Sequence, residues 1–188
     1  LKKNAIETIK GEGRLASPTE IVVDGERRIQ ARAIILATGS RPRELPGLAF
    51  DETTVLSSSG ALMLQKLPKR IAILGAGAIG MELGYVWNAF GADVTIIEAL
   101  DRILPLEDAE AAALARKIFE KRGVKFITGA FARAGSRGPK GLGLDLKPAK
   151  EGAAADFPSR VDADAVLVAA GRLPNSPGLG PADKRVPC

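Results

Sequence analysis

The hexapeptide Gly75-Ala76-Gly77-Ala78-Ile79-Gly80 follows the apolar run Arg70 to Leu74 and opens a stretch whose apolar residues recur at helical spacing. Glycines at these positions do three separate jobs where a strand turns into a helix. Gly75 permits a tight turn, Gly77 lets backbone approach a pyrophosphate, and Gly80, helped by Gly84, lets the helix pack close to a sheet. Free amides at the helix start then meet the phosphate charge. Glu98 stands 23 positions after Gly75, at the end of the next apolar run, where a carboxylate accepts hydrogen bonds from the adenosine ribose of a dinucleotide. A 2′-phosphate about 4 Å away would meet repulsion of ~4 kcal/mol per unit charge at an effective dielectric near 20. The pattern therefore points to NAD rather than NADP. The competing reading is that the glycines serve strand–helix packing alone and that Glu98 is a solvated strand-end carboxylate.

Other chemistry is bounded by what the 188 residues lack. There is no histidine, and the single cysteine is Cys188, the last residue. An imidazole base, a zinc cluster and an internal disulfide are excluded within this stretch, and no catalytic residue or metal ligand is expected in it. The net charge of +5 is concentrated early: residues 1–43 hold nine Lys or Arg against five Asp or Glu, and residues 44–188 hold eighteen against seventeen. No aromatic residues interleave with the basic ones, so a solvated edge is favoured over a nucleic-acid surface. No apolar run reaches the length of a membrane span, and a cytoplasmic location is the default expectation. With Leu1 in first position, the sequence reads as a piece of a longer chain.

The elements that must position these residues follow from periodicity and turn signals. Short β-like runs at Ala5–Ile9, Glu20–Val23 and Ala33–Ala37, with Asp24-Gly25 as a turn, suggest a small antiparallel meander. The Pro- and Gly-containing segment Arg41 to Gly47 is the best boundary. Ser57 to Ser59 can cap a short helix near residues 60–66, stopped by Pro68. Arg70–Leu74, a helix with apolar Ile79, Leu83, Val86, Trp87 and Phe90, and Val94–Ile97 make a βαβ unit. A second helix fits Asp108–Arg122, with Ala112, Leu114, Ile118 and Phe119 as its apolar side. Val124–Thr128 follows as a strand, Leu142, Leu144 and Leu146 alternate as in an antiparallel strand, and Val166–Ala170 is apolar again. The expected class is α/β: a Rossmann-like NAD-binding domain, parallel sheet plus β-meander, flanked by other β pieces.

Three groups of residues carry a family resemblance. Gly75 to Gly84, Gly91-Ala92-Asp93-Val94-Thr95 and Asp101-Arg102-Ile103-Leu104-Pro105 resemble the NAD domain of the pyridine nucleotide–disulfide oxidoreductases, most closely its dihydrolipoamide dehydrogenase branch. Lys10 to Arg14 and Ala37 to Pro42 resemble the last stretches of that family's FAD domain, and Gly171-Arg172-Leu173-Pro174-Asn175 its re-entry motif. The resemblance implies a partial FAD-binding domain at 1–40, an NAD-binding domain at 41–170 and a return segment at 171–188. It implies NAD contacts at Gly75, Gly77, Gly80, Glu82, Glu98, Ala132 and Gly171, and FAD contacts at Gly13, Thr38, Gly39 and Ser40. Glu82 is expected near the nicotinamide ring.

The function so implied is electron transfer between a dihydrolipoamide-type dithiol and NAD through FAD. The parent is expected to be a homodimer joined by a further domain, and this portion to bind NAD(H) without turnover. A sister reductase such as a mercuric reductase, or a non-catalytic NAD-sensing module, are the alternatives. The tail from Pro181 to Cys188 departs from the family pattern, and Cys188 reads as an incidental thiol.

Overall fold

A computed structural model describes residues 2–138, 141–150 and 157–180. The expectations for 181–188, Cys188 included, lie outside the described residues. The chain forms two compact units: one runs through Arg41 and resumes at Leu173, and the other is Pro42–Arg172.

In the first unit a short 3-10 turn at Lys2–Asn4 precedes strands β1 (Gly13–Ser17), β2 (Glu20–Val23) and β3 (Arg27–Gln30), paired antiparallel in that order. Asp24 and Gly25 turn the chain between β2 and β3 with φ of 51° and 78°. The Asp24 carboxylate accepts the Glu12 N–H at 2.8 Å and so ties the turn to the start of β1. Two expected strands do not form. Ala5–Ile9 is irregular, and Ala33–Ala37 has no ladder partner among the described residues, leaving Ile35 90% exposed. An apolar run becomes a strand only where a neighbour accepts from its N–H groups and donates to its C=O groups, and no described residue pairs with this run as a ladder. A short strand β4 (Ser40–Pro42) forms just after it.

The second unit contains β5 (Val55–Leu56), α1 (Ser58–Leu62), β6 (Arg70–Leu74), α2 (Ala78–Ala89), β7 (Asp93–Glu98) and α3 (Ala109–Lys121). Then come β8 (Lys125–Thr128), β9 (Ala130–Gly138), β10 (Gly141–Pro148), β11 (Arg160–Ala163) and β12 (Ala165–Val168); β13 (Arg172–Pro174), whose Leu173 and Pro174 belong to the first unit, pairs with β4. Five strands form a parallel sheet in the order β5-β12-β6-β7-β8, and β11-β10-β9 form an antiparallel one. No described helix is long and apolar enough to cross a membrane.

Side chains of a strand alternate between faces, and here both faces are covered. Ile71 and Ile73 of β6, with Ala165 and Leu167 of β12, pack with Met81 and Trp87 of α2 and Ala112 of α3. Ala72 and Leu74, with Val166 and Val168, pack against Leu142, Leu144 and Leu146 of β10. The result is three layers: helices, parallel sheet, antiparallel meander. The continuous apolar runs of β6 and β12 follow from this double burial. Ile73 is 0% exposed, and burying a side chain of its size contributes ~1.5–3 kcal/mol.

The helices differ in detail from the periodicity. The first is shorter than residues 60–66 and is capped by Ser57, whose hydroxyl accepts the Gly60 N–H at 3.1 Å. α2 buries Gly80, Met81, Gly84 and Trp87 and leaves Val86 and Phe90 exposed. α3 packs through Ala112, Ala115 and Phe119, while Leu114 and Ile118 face outward. Its apolar residues form two overlapping stripes, and the stripe with the smaller residues allows the closer approach to the sheet.

At the start of β6 and β12, Asp164 accepts the Arg70 backbone N–H at 2.9 Å and the Arg70 guanidinium, and the Asp164 N–H donates to the Arg70 carbonyl at 2.9 Å. The Arg70 side-chain hydrogen bond holds the Asp164 carboxyl below its ordinary value, against the opposing effect of burial. A depressed carboxyl contributes stability above its unfolded pKa, about 3.9, and loses it as pH falls through the lower folded value. Asp164→Asn should therefore lower the urea midpoint at pH 7, and its difference from wild type should shrink below pH ~3.9, as equilibrium unfolding at both pH values would measure.

Candidate functional site

In an open parallel sheet, ligands bind at the carboxyl ends of strands where the strand order reverses direction. Here the chain moves from β6 outward through β7 and β8, then returns to place β12 on the other side of β6. The reversal lies between β6 and β12. Gly75 follows β6, Glu98 ends β7, and Ala169 to Gly171 follow β12, so the structure brings these sequence-predicted residues to one edge.

Gly75 has φ +108°, and a Cβ there would lie 2.5 Å from the Ala169 carbonyl oxygen. Its N–H donates to the Ile97 carbonyl at 2.8 Å. A Cβ on Gly80 would lie 2.0 Å from the Gly75 carbonyl oxygen, and one on Gly84 3.0 Å from Ile96 Cδ1. Gly77 is different: a Cβ there would meet nothing within 4 Å. Close packing thus explains Gly75, Gly80 and Gly84 but not Gly77. Its bareness opens ground beside the helix start.

That helix start also lacks a side-chain cap. Ser57 caps α1, and the Asp108 carboxylate caps α3 by accepting N–H groups of Glu110 and Ala111 at 2.9 and 3.0 Å. The Asp108 carboxyl is held below its ordinary value chiefly by the Ala111 N–H, then by that of Glu110. α2 has Gly77 at its N-cap and no side chain to satisfy its first amides. Amides in that state, with the helix dipole behind them, form an anion-binding end.

Glu98 is only 9% exposed. Its two oxygens accept the Ala76 N–H at 2.7 Å and the Leu100 N–H at 2.9 Å. The carboxylate therefore braces the glycine loop, a role the spacing did not reveal, and each oxygen retains a further acceptor site. Glu82 is exposed on the second turn of α2. Gly171 has φ +110° and accepts the Arg43 N–H at 3.2 Å. Ala132 sits in β9 opposite Leu146 and packs against the core beneath the sheet.

Gly13, Thr38, Gly39 and Ser40 belong to the other unit. Gly13 begins β1. The Thr38 hydroxyl donates to the Asn175 carbonyl at 2.9 Å, the Asn175 amide nitrogen donates to the Thr38 carbonyl at 3.1 Å, and the Asn175 N–H donates to the Gly39 carbonyl at 3.0 Å. Asn175 thus fixes the turn at Gly39, whose φ is +74°. Asn175 stands at the end of the motif Gly171-Arg172-Leu173-Pro174-Asn175. Its separation of more than a hundred residues from Thr38 gave no local sign of this contact.

The residues also match the pyridine nucleotide-disulphide oxidoreductase family across 1–188. The chain belongs to that family. It is 43% identical over 182 residues to dihydrolipoyl dehydrogenase 3 of Pseudomonas putida, covering 95% of this chain and 38% of that protein. It is 39% identical to a leghemoglobin reductase of Vigna unguiculata, covering 95% of this chain and 34% of the other. Among solved structures, LpdA from Mycobacterium tuberculosis is similar with TM-score 0.74 and 28% identity, over 94% of this chain and 39% of that one. The HOCl-induced flavoprotein disulfide reductase RclA from Escherichia coli is similar with TM-score 0.71 and 29% identity, over 95% and 39%. The chain spans a little over a third of the length of these relatives.

The glycine geometry separates two substitutions that look alike in sequence. Gly80→Ala drives a methyl into the Gly75 carbonyl and should destabilise by ~1–3 kcal/mol, the usual cost of overpacking. Gly77→Ala enters open space at φ −77° and should leave the melting temperature unchanged or slightly raised. Thermal unfolding of the two variants side by side tests the distinction.

Proposed function

We propose that this chain is the NAD-binding portion of an FAD-dependent, dihydrolipoamide dehydrogenase-like oxidoreductase that moves electrons between a dithiol and NAD. The observation that carries this reading is the vacant ground at Gly77 beside the uncapped start of α2. A pyrophosphate is the group that needs such a place, because it requires close backbone approach and a cluster of amide donors. Gly77 and the first amides of α2 would hold it, with Gly75 and Gly80 keeping the loop tight. Glu98, already anchored by two backbone amides, would turn its remaining acceptor sites to the ribose hydroxyls, and its charge disfavours a 2′-phosphate. Glu82 and Gly171 would border the nicotinamide end, with Ala132 contributing backbone only.

The FAD assignment rests on Gly13, Thr38, Gly39 and Ser40. It is supported by the Asn175-pinned turn at Gly39, which offers a rigid edge rather than a complete cradle. When bound, FAD and NAD supply the hydride chemistry. The division into a partial FAD-binding domain at 1–40, an NAD-binding domain at 41–170 and a return segment toward the FAD domain at 171–188 is supported by the unit boundaries at Arg41/Pro42 and Arg172/Leu173. With one cysteine in 188 residues, this portion cannot itself carry a redox disulfide. It would bind NADH without dithiol turnover, and the dithiol site and a homodimer interface would belong to the rest of the parent.

A sister-reductase reading is favoured by one observation. A protein named leghemoglobin reductase is 39% identical over the same stretch, so the stretch is shared by enzymes with different acceptors.

NADH titration followed by fluorescence tests the cofactor reading. The protein should bind NADH in clear preference to NADPH. Glu98→Arg should weaken NADH and narrow the preference by a factor of about a thousand at most, from the ~4 kcal/mol charge interaction. Unchanged NADH binding in that variant would refute the ribose role. Dihydrolipoamide-dependent NADH formation by the full-length parent, and its absence from the 188 residues alone, tests the rest.

A further inference from the structure

The loop from Asp101 to Asp108 is built around Arg102. Its guanidinium donates to the Pro105 carbonyl at 2.7 Å and to the Glu107 carbonyl at 3.0 Å. The Glu107 N–H donates to the Leu104 carbonyl at 3.0 Å, and Ile103, between Arg102 and Leu104, is 1% exposed and embedded in the core with residues of α2 and α3. Closing the loop on these points puts Leu104 at φ +45°. A leucine in the left-handed region is strained, and such strain persists only when the surroundings enforce it. In that conformation the Leu104 N–H donates to the Ala76 carbonyl at 2.8 Å.

Ala76 is thereby held from both sides. Its N–H goes to Glu98 and its C=O to Leu104. The C=O of Ala76 and the N–H of Gly77 belong to one planar trans peptide, in which the two bonds point in opposite directions. Fixing the carbonyl on Leu104 therefore fixes the direction of the Gly77 N–H, the amide at the vacant ground beside α2.

We propose that Arg102 is a positioning residue for dinucleotide binding: by clamping the Pro105 and Glu107 carbonyls it holds Leu104 on Ala76 and so aims the Gly77 N–H at the ligand pyrophosphate. The proposal rests on the NAD reading and deepens it. It also assigns Arg102 a place away from the ligand. An arginine four residues after Glu98 could be taken for a phosphate ligand, but this guanidinium reaches back to two carbonyls of its own loop. Its effect should fall on every ligand that carries the pyrophosphate and should not discriminate by the 2′-substituent.

The test uses Arg102→Ala and Arg102→Lys, with NADH, NADPH and ADP-ribose as probes. Arg102→Ala should weaken NADH and ADP-ribose by the same factor, about tenfold or ~1.4 kcal/mol, with the NADH-to-NADPH ratio unchanged. In the ligand-free protein the Leu104 amide should exchange faster and the Gly77 amide resonance should move, signals that a general loss of stability would not confine to these two sites. Arg102→Lys should recover only part of the affinity, since an ammonium lacks the two-pronged fork. A changed NADH-to-NADPH ratio, full recovery with lysine, or unaltered NADH affinity in Arg102→Ala would each overturn the Arg102 role while leaving the NAD reading intact. Failure of the unaltered protein to bind NADH would overturn the NAD reading itself and the proposal with it.

Discussion

At the start of α2 backbone meets backbone: a Cβ on Gly80 would lie 2.0 Å from the Gly75 carbonyl oxygen, so only glycine fits there. Much of the second unit depends on that contact. It seats α2 low on the sheet, so Gly84 can rest against Ile73 and Ile96 and Trp87 can reach the core. It also brings the first turn of α2 to the carboxyl end of β6 with amides that no side chain caps. In the proposed NAD reading, the same close packing that seats α2 would also present its first amides to the dinucleotide.

Around that contact the loop is held by hydrogen bonds in addition to the packing of Ala76 into the core. Gly75 is tied to Ile97, Ala76 to Glu98 and Leu104, and Ala169 to Leu74. A buried carboxylate is costly unless its oxygens are satisfied, and Glu98 satisfies that condition with two backbone amides. A binding loop must keep its amides aimed before the ligand arrives, since a loop that orders on binding loses affinity to the ordering. The loop's glycines cannot restrain themselves, so the restraint comes from β7 and from the segment after it.

Much of this was legible in the sequence. The βαβ unit, a helix beginning near Asp108 and the alternating strand at Leu142 to Leu146 all rest on local chemistry: turn formers and periodicity within a window of a dozen residues. The glycine spacing and Glu98 were equally visible. Where reading failed, the missing information was a distant neighbour. Ala33 to Ala37 has the composition of a buried strand but no ladder to join, and the choice between the two apolar stripes of α3 depends on which one meets the sheet. Asn175 on Thr38 and Leu104 on Ala76 join segments whose proximity no local pattern encodes.

By itself the sequence determined the βαβ unit around the glycine spacing, the acidic residue at the end of its second strand and the absence of any histidine or cysteine pair, because those depend on residue identity and short-range spacing. Only the tertiary structure decided that a side chain at Gly77 would meet nothing, that Glu98 braces the loop and that Arg102 is bound to its own loop. Those facts are distances between parts of the chain that the fold alone brings together, and a carboxylate or guanidinium acquires its role from the donors and acceptors it finds there.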